Sequence, residues 1–171
     1  MQLAFYKAKG SLFNALIRLK TRSPYSHVEF VFDEVKNPGL YEILPRPAGD
    51  CSGVLSYSSA NQDGGVRFTR LGLTEGKWDL VNLGRLSGER LLRTLCFCEE
   101  RVGMKYDWLG ILGFVFPFGE HQDNDRFCSE ACTELLQTRS VLMGLRPEVV
   151  TKVLKAKPWM TSPGDLYNIV Y

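Results

Sequence analysis

The alternation of apolar and polar positions divides the chain into a short mixed start, a strand-rich middle and a helical second half. Leu3 to Tyr6 reads as a short strand. Ser11 then stands as the cap of a helix in which Leu12, Ala15, Leu16 and Leu19 form one apolar stripe, and Arg22-Ser23-Pro24 ends it. The middle holds runs rich in Val, Phe, Tyr and Leu at Ser26–Phe32, Leu40–Leu44, Gly53–Ser59, Val66–Leu71 and Trp78–Leu83. Turn clusters such as Asn37-Pro38-Gly39 and Asp63-Gly64-Gly65 separate them. Beyond Leu86 the period lengthens from two to nearly four. Ser87 caps a predicted helix to Val102, with Leu91, Leu95, Cys98 and Val102 on one side and Gly103 at its end. A third helix is predicted from near Trp108. Asp125 occupies the cap position of a helix from Arg126 to about Thr138 that buries Phe127, Ala131 and Leu135, and two short helices carry Pro147 and Pro163 in their first turns. Strands gathered between helical ends predict an α+β fold, with helices on one face of a mostly antiparallel sheet.

No repeat, low-complexity segment or long linker interrupts the 171 residues, so one domain spanning 1–171 is expected, burying roughly 70% of its unfolded surface. With 21 Lys+Arg against 19 Asp+Glu, the net charge of +2 is too small and too scattered for a phosphate-tracking surface, which argues against nucleic acid as the partner. The start of the chain lacks the basic, apolar and small-residue sequence of a signal peptide, so a cytoplasmic or virion-associated protein is expected. The longest apolar stretch, Trp108–Phe118, has eleven residues including two Gly and a Pro, short of the ~20 needed to span a bilayer. It reads as a wall of the core or as the lining of an apolar groove. Arg18, Lys20 and Arg22 form a small basic cluster at a helix end. The five cysteines, odd in number, read as reduced thiols, and their spacing is not that of a structural zinc site.

The sharpest chemical signal is Phe127-Cys128-Ser129-Glu130-Ala131-Cys132. A cysteine in the first helical turn sits among unpaired backbone N–H groups at the positive end of the helix dipole, which favours thiolate. The same residue also reads as a buried thiol. A thiolate nucleophile needs an imidazole, and the chain has two histidines. His27 shares one face of its strand with Glu29, while Val28, Phe30 and Phe32 share the other. His121 lies in the polar run Gly119–Asp125 and reads as solvated or substrate-facing.

Ser26-His27-Val28, Gly64-Gly65-Val66-Arg67, Tyr106-Asp107-Trp108-Leu109-Gly110 and Phe127-Cys128-Ser129-Glu130, in that order, resemble the circularly permuted branch of the NlpC-type, papain-like cysteine hydrolases, in particular YiiX/YebB-like proteins and their phage-encoded relatives. The resemblance runs from about Tyr25 to Ser162. It implies a Cys-bearing helix packed on a sheet that supplies the His, with amide or peptide bonds, often in bacterial wall peptides, as targets. It also implies Cys128 as nucleophile and His27 as base, with no cofactor. The third catalytic member stays open between Glu29, two positions from His27 at a Cα spacing of ~6.6 Å, and Ser58, a weaker orienting group; Glu29 also reads as a surface carboxylate paired with an Arg. Tyr25, Ser58, Trp108 and His121 are the candidate substrate contacts. Wider relatives transfer acyl groups, so a thioesterase or acyltransferase is one alternative, and a non-catalytic structural or binding protein, for example of a virus particle, is another.

Overall fold

A computed structural model of the chain describes residues 1–8, 12–32, 53–108 and 125–171. The predicted strand Leu40–Leu44, the cap Ser11, Cys51, His121 and the apolar run beyond Trp108 lie outside the described residues. The fold is α+β. Among the described residues its strands are β1 (Gln2–Tyr6), β2 (His27–Val31), β3 (Val54–Ala60), β4 (Gly65–Leu71), β5 (Trp78–Asn82), β6 (Lys105–Tyr106) and β7 (Asp125–Arg126). Among the described residues the helices are α1 (Leu12–Thr21), α2 (Gly88–Glu99), α3 (Cys128–Leu136), α4 (Arg139–Leu142), α5 (Pro147–Lys155) and α6 (Pro163–Val170). The strands form one sheet in the order β5-β1-β2-β3-β4-β6-β7, antiparallel throughout except for the β6–β7 pair. None of the described helices is long and apolar enough to cross a membrane.

α3 is the central helix. All its residues but Glu134 are buried, and it lies on β2 and β3. Small side chains permit that approach: Ala131 and Cys132 are nearly inaccessible, and Cys132 Sγ stands 3.8 Å from the Val28 carbonyl oxygen and 3.9 Å from that of Tyr57. Phe5, Phe30, Phe32, Tyr57, Leu95, Leu135 and Leu166 fill the surrounding core. Burying each large apolar side chain contributes about 1.5–3 kcal/mol.

One expectation needs correction. Asp125 does not cap a helix; Asp125 and Arg126 pair with Lys105 and Tyr106 as β7, Phe127 is the cap residue, and Cys128 opens the helix. The apolar stripe of α1 faces outward, with Leu12 and Leu19 mostly exposed. That helix ends as expected, with Arg22 in the left-handed region (φ 50°) and the Ser23 N–H donating to the Arg18 carbonyl at 3.1 Å.

The turn into β4 depends on one glycine. Gly65 has φ +149°, and a Cβ there would collide with the Met104 carbonyl oxygen, because β4 and the strand leading to Tyr106 are drawn together by the Val66 N–H to Met104 bond of 2.8 Å. Gly65→Ala is therefore expected to destabilise the fold by about 3 kcal/mol. Gly72→Ala, where a Cβ meets open space, should stay within about 0.5 kcal/mol of the parent in the same urea denaturation series.

Candidate active site

His27 opens β2, and Tyr6 and Trp78 follow it in register across β1 and β5. The three side chains form a row, with the Tyr6 and Trp78 rings 4.9 Å apart and the His27 ring edge-on to Trp78 at 6.4 Å. Two residues on, Glu29 points to the same face. Its Oε1 lies 2.7 Å from His27 Nε2 and accepts from Arg67 Nη2 at 2.7 Å, while its Oε2 accepts from Arg67 Nη1 at 3.1 Å. Arg67 Nε in turn donates to Asp63 Oδ2 at 2.8 Å. Glu29 is 1% exposed. A carboxylate so far from water would ordinarily be neutral. Burial does push its pKa up, but the hydrogen bond from His27 and the charge of Arg67 outweigh burial and hold it well below the usual carboxylate range.

The pairing of Glu29 with Arg67 crosses a strand. β4 pairs Arg67 with Ser58, and the β2–β3 register of Phe30 with Tyr57, carried one pair further, places Ser58 opposite Glu29. Glu29 and Arg67 are thus separated by two inter-strand spacings, about 10 Å, which their long side chains close over a small residue. Ser58 is fully buried and its hydroxyl donates to the Val28 carbonyl at 2.7 Å. It is not among the residues lining the adjacent cleft. In the sheet it is the small residue over which Glu29 and Arg67 meet.

The sulfur enters from α3. Cys128, at the first position of the helix, interacts with the His27 imidazole by hydrogen bonding and charge. With Nε2 turned to Glu29, the ring nitrogen left for the sulfur is Nδ1. Burial would lower the imidazole pKa; the interaction with Cys128, and then that with Glu29, overcomes it and raises His27 to about 10. Cys128 is buried, as is Tyr106, whose hydroxyl is pushed upward chiefly by burial and then by the nearby Cys128. The helix start is held in place by the Ser59 hydroxyl, which donates to the Arg126 carbonyl at 2.5 Å, and by the Phe127 N–H, which reaches Glu130 Oε2 at 3.4 Å. Glu130 is itself buried, which pushes its carboxyl up to about 8.

A cleft of about 670 Å³ opens beside this arrangement, lined by His27, Glu29 and Arg67 together with Tyr6, Trp78 and Trp108. Trp108 is 44% exposed and meets Tyr106 edge-on at 5.3 Å. Tyr25, in contrast, does not line the cleft. Its ring packs between Phe5 and Tyr167, and its hydroxyl donates to Asp79 at 2.8 Å, so it belongs to the core. The structure therefore joins Cys128 to His27 and Glu29, lines the cleft with His27, Glu29 and Trp108 but not with Cys128, Ser58 or Tyr25, and adds Arg67. The sequence contained Arg67 in Gly64-Gly65-Val66-Arg67, but nothing local tied it to Glu29. Among the described residues Cys96, Cys98, Cys128 and Cys132 are free thiols, and no group of three His, Cys, Asp or Glu side chains could hold a metal ion. No protein-family model matches the chain, and no curated protein matches it.

The network makes stability depend on pH in both directions. His27 has a raised folded pKa, so its contribution is complete below about 6.5, its unfolded value, and is lost as pH rises towards 10. Glu29 has a lowered one, so its contribution is present above about 4.3 and is lost in stronger acid. Arg67→Met should cost about 3 kcal/mol by urea denaturation at pH 6, because it leaves a buried carboxylate with one cation fewer. It should also shift the loss of stability in acid to higher pH. A cost below about 1 kcal/mol would show that the pair is not a structural anchor.

Proposed function

We propose that the protein is a cysteine-dependent hydrolase that cleaves amide or peptide bonds through an acyl-enzyme. The observation that carries this reading is the chain of contacts from Cys128 through His27 to the buried Glu29, at the edge of an open cleft. Each link has a chemical use. An imidazolium beside the sulfur favours the thiolate, which attacks the substrate carbonyl carbon as the carbonyl electron pair moves onto oxygen. N–H groups of the first turn of α3, which lack intrahelical partners, are the natural donors to that oxyanion. Collapse of the intermediate breaks the carbon–nitrogen bond, and His27 gives its proton to the departing amine. The neutral imidazole then takes a proton from water, whose oxygen attacks the thioester and returns the thiol.

Glu29 is the third member in this scheme. Its Oε1 fixes the imidazole orientation and stabilises the imidazolium, and Arg67 keeps the carboxylate in place and charged. No step needs a cofactor. The aromatic row of Tyr6 and Trp78 beside His27, with Trp108 also lining the cleft, suits a substrate with an apolar or planar group near the scissile bond. Bacterial wall peptides are the substrate class that the family resemblance adds, and thioesters or acyl lipids are the competing one.

Labelling with iodoacetamide followed by peptide mass spectrometry tests the pair. At pH 6 Cys128, although buried, should be carboxamidomethylated at least about tenfold faster than the exposed Cys96, and His27→Ala should remove that advantage. Equal, slow labelling of both thiols in both proteins would remove the nucleophile from the proposal. With wall-derived peptides as substrates, Cys128→Ala should abolish turnover and Glu29→Gln should lower kcat about a hundredfold or more. Release of acyl groups from thioesters with the peptides left intact would instead assign the same residues to acyl transfer.

A further inference from the structure

The first helix is mounted inside out. Its inward side carries Asn14, Ile17, Arg18 and Thr21, and its outward side Leu12, Ala15, Leu16 and Leu19. Polar contacts hold it down: Arg18 Nη1 donates to the Ala8 carbonyl at 2.9 Å and reaches Ser26 Oγ at 3.4 Å, while Ile17 packs on the Tyr106–Phe127 pair. Outward, Leu12 is 92% exposed, Leu19 78% and Leu16 42%. At i, i+4 and i+7 these leucines fall within one narrow arc of the helix, so they form a continuous strip rather than scattered apolar residues.

Charge along the strip has one sign. The first 28 residues contain Lys7, Lys9, Arg18, Lys20 and Arg22 and not one Asp or Glu. Lys7 is paired with Asp79 and Arg18 serves the helix mount, while Lys20 and Arg22 are exposed at the end that follows Leu19. Aliphatic side chains on one face, cations at its end and no carboxylate in the helix itself are the properties that seat a short helix in the plane of an anionic bilayer. The leucines enter the boundary between headgroups and acyl chains, and the cations meet the lipid phosphates and carboxylates. A protein partner would have to supply both an apolar groove and an acidic rim, and such a rim is absent from the exposed face of α1 itself, so a second copy docking helix to helix would juxtapose like charges.

We propose that α1 is a docking surface for an anionic lipid membrane, with the Leu12–Leu16–Leu19 strip inserted at the interface and Lys20 and Arg22 paired with lipid headgroups. Asn14, on the opposite side of the same helix, lines the cleft, so docking brings the wall of the cleft to the bilayer surface. The surface stands on its own observations and does not require that Cys128 be a nucleophile.

Co-sedimentation of the full chain with vesicles tests it. The chain should pellet with vesicles of phosphatidylcholine mixed with phosphatidylserine, remain in the supernatant with phosphatidylcholine alone, and be released by raised salt. Leu12→Gln combined with Leu19→Gln should abolish pelleting, and Lys20→Gln combined with Arg22→Gln should weaken it on the order of tenfold. These positions are exposed, so circular dichroism and thermal melting of both variants should match the parent; a variant that melts early is replaced by the single Leu12→Gln change. Failure of the parent chain to bind either vesicle overturns the proposal. So does binding that survives loss of the leucines, or a concentration-dependent dimer that the leucine changes dissolve, since that would give the strip to a second copy.

Discussion

A carboxylate inside a sheet has to be compensated, and much of this molecule is arranged around that requirement. Glu29 lies on a central strand at 1% exposure, where an unpaired charge would be costlier than any single apolar contact could offset. Two cations reach it, one from its own strand and one from two strands away. The second ties together the register of β2, β3 and β4, because a one-residue slip of β4 would turn Arg67 to the other face and leave Glu29 without it. The residue between them has to be small, and it is Ser58. Asp63 completes a line of alternating charge that ends near the surface.

The same network orients His27. An imidazole with one nitrogen committed to a buried carboxylate has a fixed ring plane and a fixed nitrogen for its other partner. That partner comes from an element formed a hundred residues later in sequence. α3 can bring Cys128 close because its sheet-facing residues are small enough for the Cys132 sulfur to touch strand carbonyls, and because β7 and the Ser59 hydroxyl hold the residues just before it. Sheet register and helix packing, which are stability problems, thereby determine the distance between a sulfur and a ring.

Local pattern made part of this legible. Strict alternation placed His27 and Glu29 on one face, and turn residues marked the start of β4. The opening of a helix at Cys128 could be seen to within two residues, but its cap could not: Asp125 is a good capping residue in isolation, yet in the fold its backbone pairs with β6. Arg67 was invisible as a partner of Glu29 because their contact depends on strand order, with β3 between them, which no local window shows. Ser58 and Tyr25 read as site residues because a sequence does not say which polar groups are already satisfied by a neighbouring carbonyl or carboxylate. The periodicity of α1 was correctly apolar on one side, but period alone does not give the direction of that side; Arg18 and Ile17 decide it by anchoring the opposite face.

The central claim is that one imidazole is shared by a sulfur and a buried carboxylate and is therefore held in its charged form. With only two histidines in the chain, it can be read directly by following the imidazole carbon and nitrogen resonances of His27 with pH, in the parent and in Cys128→Ser. The expected result is an imidazolium that persists through neutral pH and well above the usual range, with the titration moving toward lower pH when the sulfur is replaced. A His27 that titrates near its ordinary value of about 6.5 in both proteins would contradict it.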